Sequence, residues 1–148
     1  MQSESPCTCA AVRRLSRRIT HLYDRHLAEL GLRTTQFSLL SNVRARPGLP
    51  MGDLAQRMGM DRSTLTRNLR PLVAAGWVRI GRGEDARTVC AWLTDAGRTL
   101  QSRARAHWRR AQDDFESRLG PANAHALHRL AESVSGRLEH AGAPDAAA

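Results

Sequence analysis

The stretch that most constrains the fold of this chain spans residues 61–76, with the sequence DRSTLTRNLRPLVAAG. Its apolar residues recur at the spacing of one helix face, so the pattern predicts an amphipathic helix with a buried stripe. That stripe consists of Leu65, Leu69, Leu72 and Val73. Asp61 is a favourable residue to cap the first turn, and Gly76 can end the helix in a left-handed conformation. Pro71 removes one backbone hydrogen bond within the helix, so we expect a slight bend.

The opposite face of this helix is polar and positively charged. It consists of Ser63, Arg67, Arg70 and Ala74, with Thr66 at its edge. Arginine can offer two parallel donors to guanine, and small hydroxyl residues fit close to base edges and phosphates. The face therefore suits the major groove of DNA. An ordinary surface helix with a solvated basic face fits the same residues. The neighbouring segments are therefore needed to choose between a DNA-binding helix and an ordinary surface helix.

A shorter helix stands immediately before this one. Leu54, Ala55 and Met58 share one face within the segment MGDLAQRMGM, and Gly59 is placed to end the helix. Only Gly59 and Met60 separate this helix from the cap at Asp61. Two helices joined by so tight a turn form a helix-turn-helix, in which the helix over 61–76 is the second.

After Gly76 the apolar pattern changes to the alternation of a β-strand. Residues 77–80 and 88–93 are predicted strands, and the polar turn GRGEDAR joins them into a β-hairpin. The second strand is expected to place three residues on one face, namely Val89, Ala91 and Leu93. A hairpin that follows directly on a recognition helix is a wing. The pattern therefore predicts a helix-turn-helix with a wing.

The tip of the wing carries both signs of charge. Arg82 and Arg87 could reach a minor groove or phosphates. Asp85 would repel phosphate if it were bare, so we expect its carboxylate to hold an arginine in place.

Amphipathic patterns flank this region on both sides. Apolar spacing predicts helices over residues 10–30, 35–44, 94–119 and 122–140, and a break over 46–50. The apolar faces of the first and the last two helices exceed what the small wing region can cover. The natural cover is the same helices of a second chain, so we expect a homodimer.

Composition narrows the class of partner. The 148 residues carry a net charge of +9, and all 23 basic residues are arginine. A positive charge favours a polyanionic partner, nucleic acid first and an anionic membrane second. No segment approaches the roughly 20 apolar residues that cross a bilayer, and no signal peptide is visible. We therefore expect a soluble, cytoplasmic protein without a membrane partner.

The order of the elements and the residues together resemble the MarR family of bacterial transcription regulators, over about residues 10–140. The specific part comprises Leu54-Ala55, Ser63-Thr64-Leu65-Thr66-Arg67, Leu69, Leu72, Gly76-Trp77-Val78, Asp85-Ala86-Arg87, and Leu93-Thr94 with Gly97. The resemblance implies a mainly α fold with a small β-hairpin wing, which is a winged helix-turn-helix plus a helical dimerisation region. We expect the dimerisation region in residues 8–31 and 96–141, the winged domain in 32–95, and flexible tails in 1–7 and 142–148.

The same resemblance implies a homodimer that binds near-palindromic DNA, mostly as a repressor, and is released by a small aromatic acid or by cysteine oxidation. The implied DNA-binding residues lie on the second helix of the motif and on the wing. They are Ser63, Thr64, Thr66, Arg67, Arg70, Arg82, Asp85 and Arg87. The turn GRGEDAR is poorer in basic residues than the family's wings often are.

Two of the three cysteines, Cys7 and Cys9, stand one residue apart immediately before the first predicted helix. Because this helix is expected to form the dimer, chemistry at the cysteines could move the DNA-binding lobes. A disulfide within Cys-x-Cys would be strained, so an intersubunit disulfide or capture of a thiophilic ion, such as a trivalent metalloid or copper(I), fits better. Two exposed thiols in a frayed tail are the other interpretation. Cys90 is expected to be a small packed residue.

Other function classes receive less support. No Ser/His/Asp arrangement, phosphate-binding glycine loop or nucleotide fingerprint occurs, so we expect no enzyme. His125 and His128 could support a metal, but no carboxylate or cysteine pattern lies nearby, so surface histidines are the better explanation. A winged helix that binds protein instead of DNA is the alternative, and it would not need Ser, Thr and Arg together on the exposed helix face. An effector pocket is expected between the winged domain and the dimer helices, with Tyr23 and His26 as candidates and core packing as the other role for Tyr23.

Overall fold

The computed structural model describes residues 7–85 and 87–141, so the expected tails over 1–7 and 142–148 lie outside the described residues, except for Cys7. The described chain is mainly helical with a small three-stranded sheet, which confirms the predicted fold class. Its elements are α1 (Thr8–Leu27), α2 (Thr34–Ala45), β1 (Leu49–Pro50), α3 (Met51–Arg57), α4 (Arg62–Ala74), β2 (Val78–Arg82), β3 (Val89–Leu93), α5 (Asp95–Leu119) and α6 (Pro121–Ala141). None of the helices described is both long and apolar enough to cross a membrane.

The chain forms two compact units, one ending at Ala111 and the other beginning at Gln112. The first holds α1 to α4, the sheet and the start of α5, and the second holds the rest of α5 with α6. The expected division into a dimerisation region and a winged domain stays a prediction.

The core of the first unit lies directly behind α4. Leu65, Leu69 and Leu72 are fully buried, as the apolar stripe predicts. The prediction is wrong for Val73, which is 39% exposed. At 3.6 residues per turn, Val73 lies about 80° around the helix from Leu65, whereas Leu69 lies about 40° away. The valine therefore stands at the edge of the stripe and escapes burial.

The sheet has the order β1-β3-β2, with antiparallel neighbours. Ala91 in the central strand pairs with Leu49 on one side and with Ile80 on the other. The sequence predicts only a break over 46–50, but the structure forms β1 there, because its two residues pair with β3. A strand of two residues is too short to show apolar alternation, so the sequence pattern does not reveal it.

The burial of β3 also differs from the prediction. Val89 is 43% exposed, while Ala91 and Leu93 are buried as expected. Val89 pairs with Arg82 at the tip end of the hairpin, which explains its exposure because the strand there extends past the core.

The first helix starts earlier and ends earlier than predicted. It begins at Thr8 and ends at Leu27, after which Ala28–Leu30 form a 3₁₀ turn. Gly31 ends that turn with a φ of 67°, in the left-handed region that glycine adopts without strain. The predicted stop is therefore correct, although the last residues before it are wound more tightly than an α-helix.

Candidate nucleic-acid interface

Asp61 organises the N-terminus of α4. Its Oδ1 accepts the backbone N–H of Thr64 at 2.8 Å and the hydroxyl of Ser63 at 2.6 Å, and its Oδ2 accepts the hydroxyl of Thr64 at 2.7 Å. These donors, the Ser63 hydroxyl first, hold the pKa of Asp61 far below its ordinary value, because they stabilise the charged form. The predicted cap is confirmed, and the carboxylate is ionised at neutral pH.

The outward face of α4 is solvent-exposed. Ser63, Thr66, Arg67 and Arg70 are exposed, and Thr64 is half-buried. The leucines on the opposite face anchor the helix in the core, so the outward direction of this face is fixed. The structure thus brings the five predicted helix residues together on one element. Their contact with DNA stays a prediction.

The hydroxyl groups of α4 are already engaged as donors. Ser63 and Thr64 donate to Asp61, and Thr66 donates to the carbonyl oxygen of Arg62 at 2.8 Å. An ionised carboxylate and a carbonyl can only accept, so each hydroxyl proton is used within the protein. From the sequence alone, these hydroxyl residues are expected to fit close to base edges and phosphates, with no direction of hydrogen bonding assigned. In the structure, their remaining hydrogen-bonding capacity is that of acceptors.

The wing tip is a turn that Asp85 holds together. Its Oδ1 accepts the backbone N–H of Arg87 at 3.0 Å, and its carbonyl oxygen accepts the N–H of Thr88 at 2.9 Å. Asp85 therefore holds Arg87 in place, through a hydrogen bond to its backbone N–H. Arg82 and Arg87 are both exposed beside this turn. Their guanidinium groups lie on a different element from α4, so the site has two separate basic parts.

A hydrogen-bonded junction ties the end of α4 to the start of α5. The Thr94 hydroxyl donates to the carbonyl of Gly76 at 2.6 Å and accepts the N–H of Gly97 at 3.1 Å. The Thr94 N–H donates to the carbonyl of Trp77 at 3.1 Å. A Cβ atom added to Gly97 would lie 2.0 Å from that Trp77 oxygen. By residue type, either Thr94 or Asp95 could cap α5, and in the structure Thr94 does. Only the structure shows that Gly97 permits this close packing.

A cavity of about 570 Å³ opens between α2 and α5. Its lining combines aromatic, amide, hydroxyl and guanidinium groups, supplied by Phe37, Ser38, Ser41, Asn42, Arg44, Ala45, Gln101, Arg105 and Trp108. The rings of Phe37 and Trp108 stack with their centroids 6.2 Å apart. Buried Gln101 accepts from Arg44 at 2.6 Å and donates to the Ser41 hydroxyl at 3.1 Å.

Neither Tyr23 nor His26, the effector-pocket candidates named from the sequence, lines this cavity. Tyr23 is buried on α1, which fits its alternative role in the core, and an effector role for either residue stays a prediction. The sequence does not mark Gln101 as a buried residue, because a glutamine in a predicted amphipathic helix is expected on its polar face.

The cysteines lie on other elements. Cys7 is the N-cap residue of α1 and Cys9 lies in its first turn, and both are exposed. Cys90 is buried in β3, as expected of a small packed residue. Among the described side chains, no group of three His, Cys, Asp or Glu residues could hold a metal ion. An ion at Cys7 and Cys9 that takes a third ligand of these types would need it from outside the described part of one chain.

Comparison with known proteins identifies the family. The MarR family model matches residues 30–88. The transcriptional regulator MosR of M. tuberculosis, solved in complex with DNA, is 35% identical with a TM-score of 0.75, over 88% of this chain and 97% of MosR. The repressor CouR, bound to a 23-mer DNA duplex, is 27% identical with a TM-score of 0.78, over 86% of this chain and 92% of CouR.

The HTH-type transcriptional regulator TtmR of Methylorubrum extorquens (strain PA1) is 33% identical over 103 residues, which are 69% of this chain. This alignment covers 53% of TtmR, so the chain spans about half the length of that relative. The matched winged helix-turn-helix and the extent of the MosR alignment show that this chain belongs to the MarR family of transcription regulators.

Proposed function

We propose that this regulator is a homodimeric repressor that binds a palindromic DNA operator through α4 and the wing and is released by a small effector. The observation that supports DNA binding is the orientation of α4: Ser63, Arg67 and Arg70 are exposed, while the leucines on the opposite face are fully buried. A regulator of this kind acts where the chromosome lies, so we expect it in the cytoplasm. The DNA complex of MosR supports the proposal.

Arg67 provides the direct test of sequence reading. A dimer should select half-sites about one helical turn apart from a random pool of duplexes. If Arg67 reads guanine, Arg67→Ala should cost about 1–3 kcal/mol at the selected site and much less on random DNA. Arg33→Ala is the matched control, because Arg33 is an exposed arginine that lies outside α4, the wing and the proposed dimer interface. An equal loss on both DNAs would show that Arg67 only contacts phosphate.

The alternative is a winged helix that binds protein and not DNA. The two functions differ in their dependence on salt, because neutralising phosphates releases counterions from DNA. Retention on random duplex DNA that falls steeply with salt supports the proposal. Absence of retention at low salt would favour the protein-binding function.

Exposed apolar side chains support the dimer. Val12 on α1 is 57% exposed, and on α6 Leu130 and Leu138 are 62% and 68% exposed. Apolar groups in contiguous rows are costly to leave in water, at about 25 cal/mol per Å², so a second chain is the natural cover. We propose that residues 10–30 and 98–140 form the interface. A stable folded monomer at micromolar concentration in sedimentation would contradict the dimer.

Cys7 and Cys9 are our first candidates for the effector site. Both thiols are exposed at the start of α1, the helix that we place in the dimer. Two thiols from different subunits can lose two electrons and two protons to peroxide, giving one disulfide and two water molecules. A soft ion, such as a trivalent metalloid or copper(I), could instead bind the thiolates.

The cavity between α2 and α5 is the second candidate for the effector site. Its stacked Phe37 and Trp108 rings suit an aromatic ligand, and Arg44 and Arg105 suit a carboxylate. A Cys7→Ser, Cys9→Ser double variant separates the candidates in an operator-binding assay with peroxide, arsenite, antimonite and copper(I). If wild type and variant respond alike to all four, the cysteines are not the sensor and an aromatic acid in the cavity becomes the leading effector.

A further inference from the structure

The N-terminal turn of α4 contains a carboxylate that fixes the direction of two hydroxyl groups. Ser63 Oγ lies 2.6 Å from Asp61 Oδ1, and Thr64 Oγ1 lies 2.7 Å from Asp61 Oδ2. An ionised carboxylate has no proton to give, so both hydroxyls must be the donors. Each hydroxyl oxygen can then only accept from any further partner, as long as these bonds persist.

Ser63 is the hydroxyl that faces outward beside the basic groups. At 3.6 residues per turn, Arg70 lies about 20° and Arg67 about 40° from Ser63 around the helix axis. All three side chains are exposed, whereas Thr64 is half-buried at the side of the face. A helix that presents this face to the major groove therefore presents one acceptor between two arginines, which are donors only.

The major groove offers different groups on different bases. Cytosine N4 and adenine N6 carry amino protons, while guanine presents only acceptors and thymine presents one acceptor and a methyl group. Phosphate oxygens also only accept. A Ser63 oxygen whose proton is already used can therefore bond to cytosine or adenine, but not to guanine, thymine or phosphate.

We propose that Asp61 is a positioning residue that makes Ser63 a selective acceptor, so that Ser63 selects a base with a major-groove amino group, cytosine or adenine. This inference rests on the proposed function. The lowered pKa of Asp61 agrees with it, because the carboxylate stays charged and cannot donate to Ser63 at any pH at which the protein would bind DNA. Arg67 and Arg70 supply the complementary preference for guanine.

The test uses the full-length chain and the half-site selected from a random pool. Each cytosine is replaced in turn by N4-methylcytosine and each adenine by N6-methyladenine, which puts a methyl group where the major-groove proton stood. The same modified bases in the flanking DNA serve as the control. At one position in each half-site we expect wild-type affinity to fall about tenfold, since one bond is lost and a polar oxygen is left unpaired.

Two variants assign that loss to the proposed pair. Ser63→Ala keeps the bond between Asp61 and the Thr64 N–H, and it should bind modified and unmodified DNA equally at that position. Asp61→Asn keeps a good helix cap, but its amide can donate to the Ser63 oxygen and release the hydroxyl proton toward DNA. The preference of this variant for an amino-bearing base over guanine or thymine should drop at least fivefold.

The outcomes separate this inference from the function on which it rests. A wild-type chain that selects no sequence from the pool would overturn the proposed function, and the inference with it. A chain that selects a sequence but binds every modified half-site as well as the unmodified one would overturn the inference alone. An Asp61→Asn variant that folds and keeps the wild-type base preference would overturn the positioning role of Asp61.

Discussion

Replacing Gly97 by alanine tests whether the close packing of α5 against Trp77 stabilises the fold. Helix propensity alone predicts that Gly97→Ala stabilises the protein by about 1 kcal/mol, because alanine is the better helix former. The structure predicts the opposite sign. The new Cβ would lie 2.0 Å from the carbonyl oxygen of Trp77 and 2.9 Å from its carbonyl carbon. Both are backbone atoms, so no flexible side chain can make room.

The expected decrease in the free energy of unfolding follows from the contacts that the added Cβ displaces. An ordinary carbon–oxygen contact is about 3.3 Å, so α5 has to retreat by roughly 1.3 Å from Trp77. That shift weakens the bond from the Thr94 N–H to Trp77 and the bond from the Thr94 hydroxyl to Gly76, worth about 1 kcal/mol each. Overpacking of this kind costs about 1–3 kcal/mol more. After the gain in propensity, we expect a net loss of about 2–4 kcal/mol.

Urea unfolding at a fixed protein concentration measures this loss, because the stability of a dimer depends on concentration. Gly52→Ala is the matched control, since Gly52 lies in α3 and an added Cβ would meet nothing within 4 Å. We expect the control to match wild type or to gain up to about 1 kcal/mol. A Gly97→Ala variant with the same or a higher urea midpoint than wild type would refute the packing argument.

Further predictions concern the wing, the cap and the dimer. Arg87→Ala should lower the slope of log affinity against log salt by about one per wing, and an unchanged slope would mean that the wing does not reach DNA. The pKa of Asp61 is lowered from 3.8 by folding, so its carboxylate stabilises the protein above about pH 4 and loses that contribution as the pH falls further. The difference in urea midpoint between wild type and Asp61→Asn should therefore shrink below about pH 4, and a constant difference down to pH 3 would contradict the assignment. Val134→Glu adds a charge to an exposed apolar row of α6 and should give a monomer in sedimentation, whereas an intact dimer would exclude Val134 from the interface.

The parts of the fold that the sequence predicts are those with local causes. Leu65, Leu69 and Leu72 are spaced by the helix period, and Asp61 and Gly76 are residue types suited to helix ends, so the structure confirms them. The same local reasoning offers Thr94 or Asp95 as the cap of α5, and the structure uses Thr94. In each case, one stretch of chain contains the whole physical reason for the conformation.

The parts that were not predicted depend on residues far apart in the chain. β1 exists only because Leu49 and Pro50 pair with Ala91 and Cys90. The role of Gly97 depends on the approach of Trp77, and Gln101 is buried because Ser41 and Arg44 bond to it from α2. The direction of the Ser63 hydrogen bond is local, but it appears only when the distance to the Asp61 carboxylate is known.

The central strand β3 pairs with both β1 and β2, and this pairing links the wing to α4. β1 precedes α3 and β2 follows α4, and both strands bond to β3. The strands on either side of α3 and α4 are thus held together by backbone hydrogen bonds to β3, so we expect the wing and α4 to move as one block. In the proposed dimer, the proposed effector would then act by changing the distance between two such blocks, because both must match major grooves that repeat about every 34 Å along the duplex.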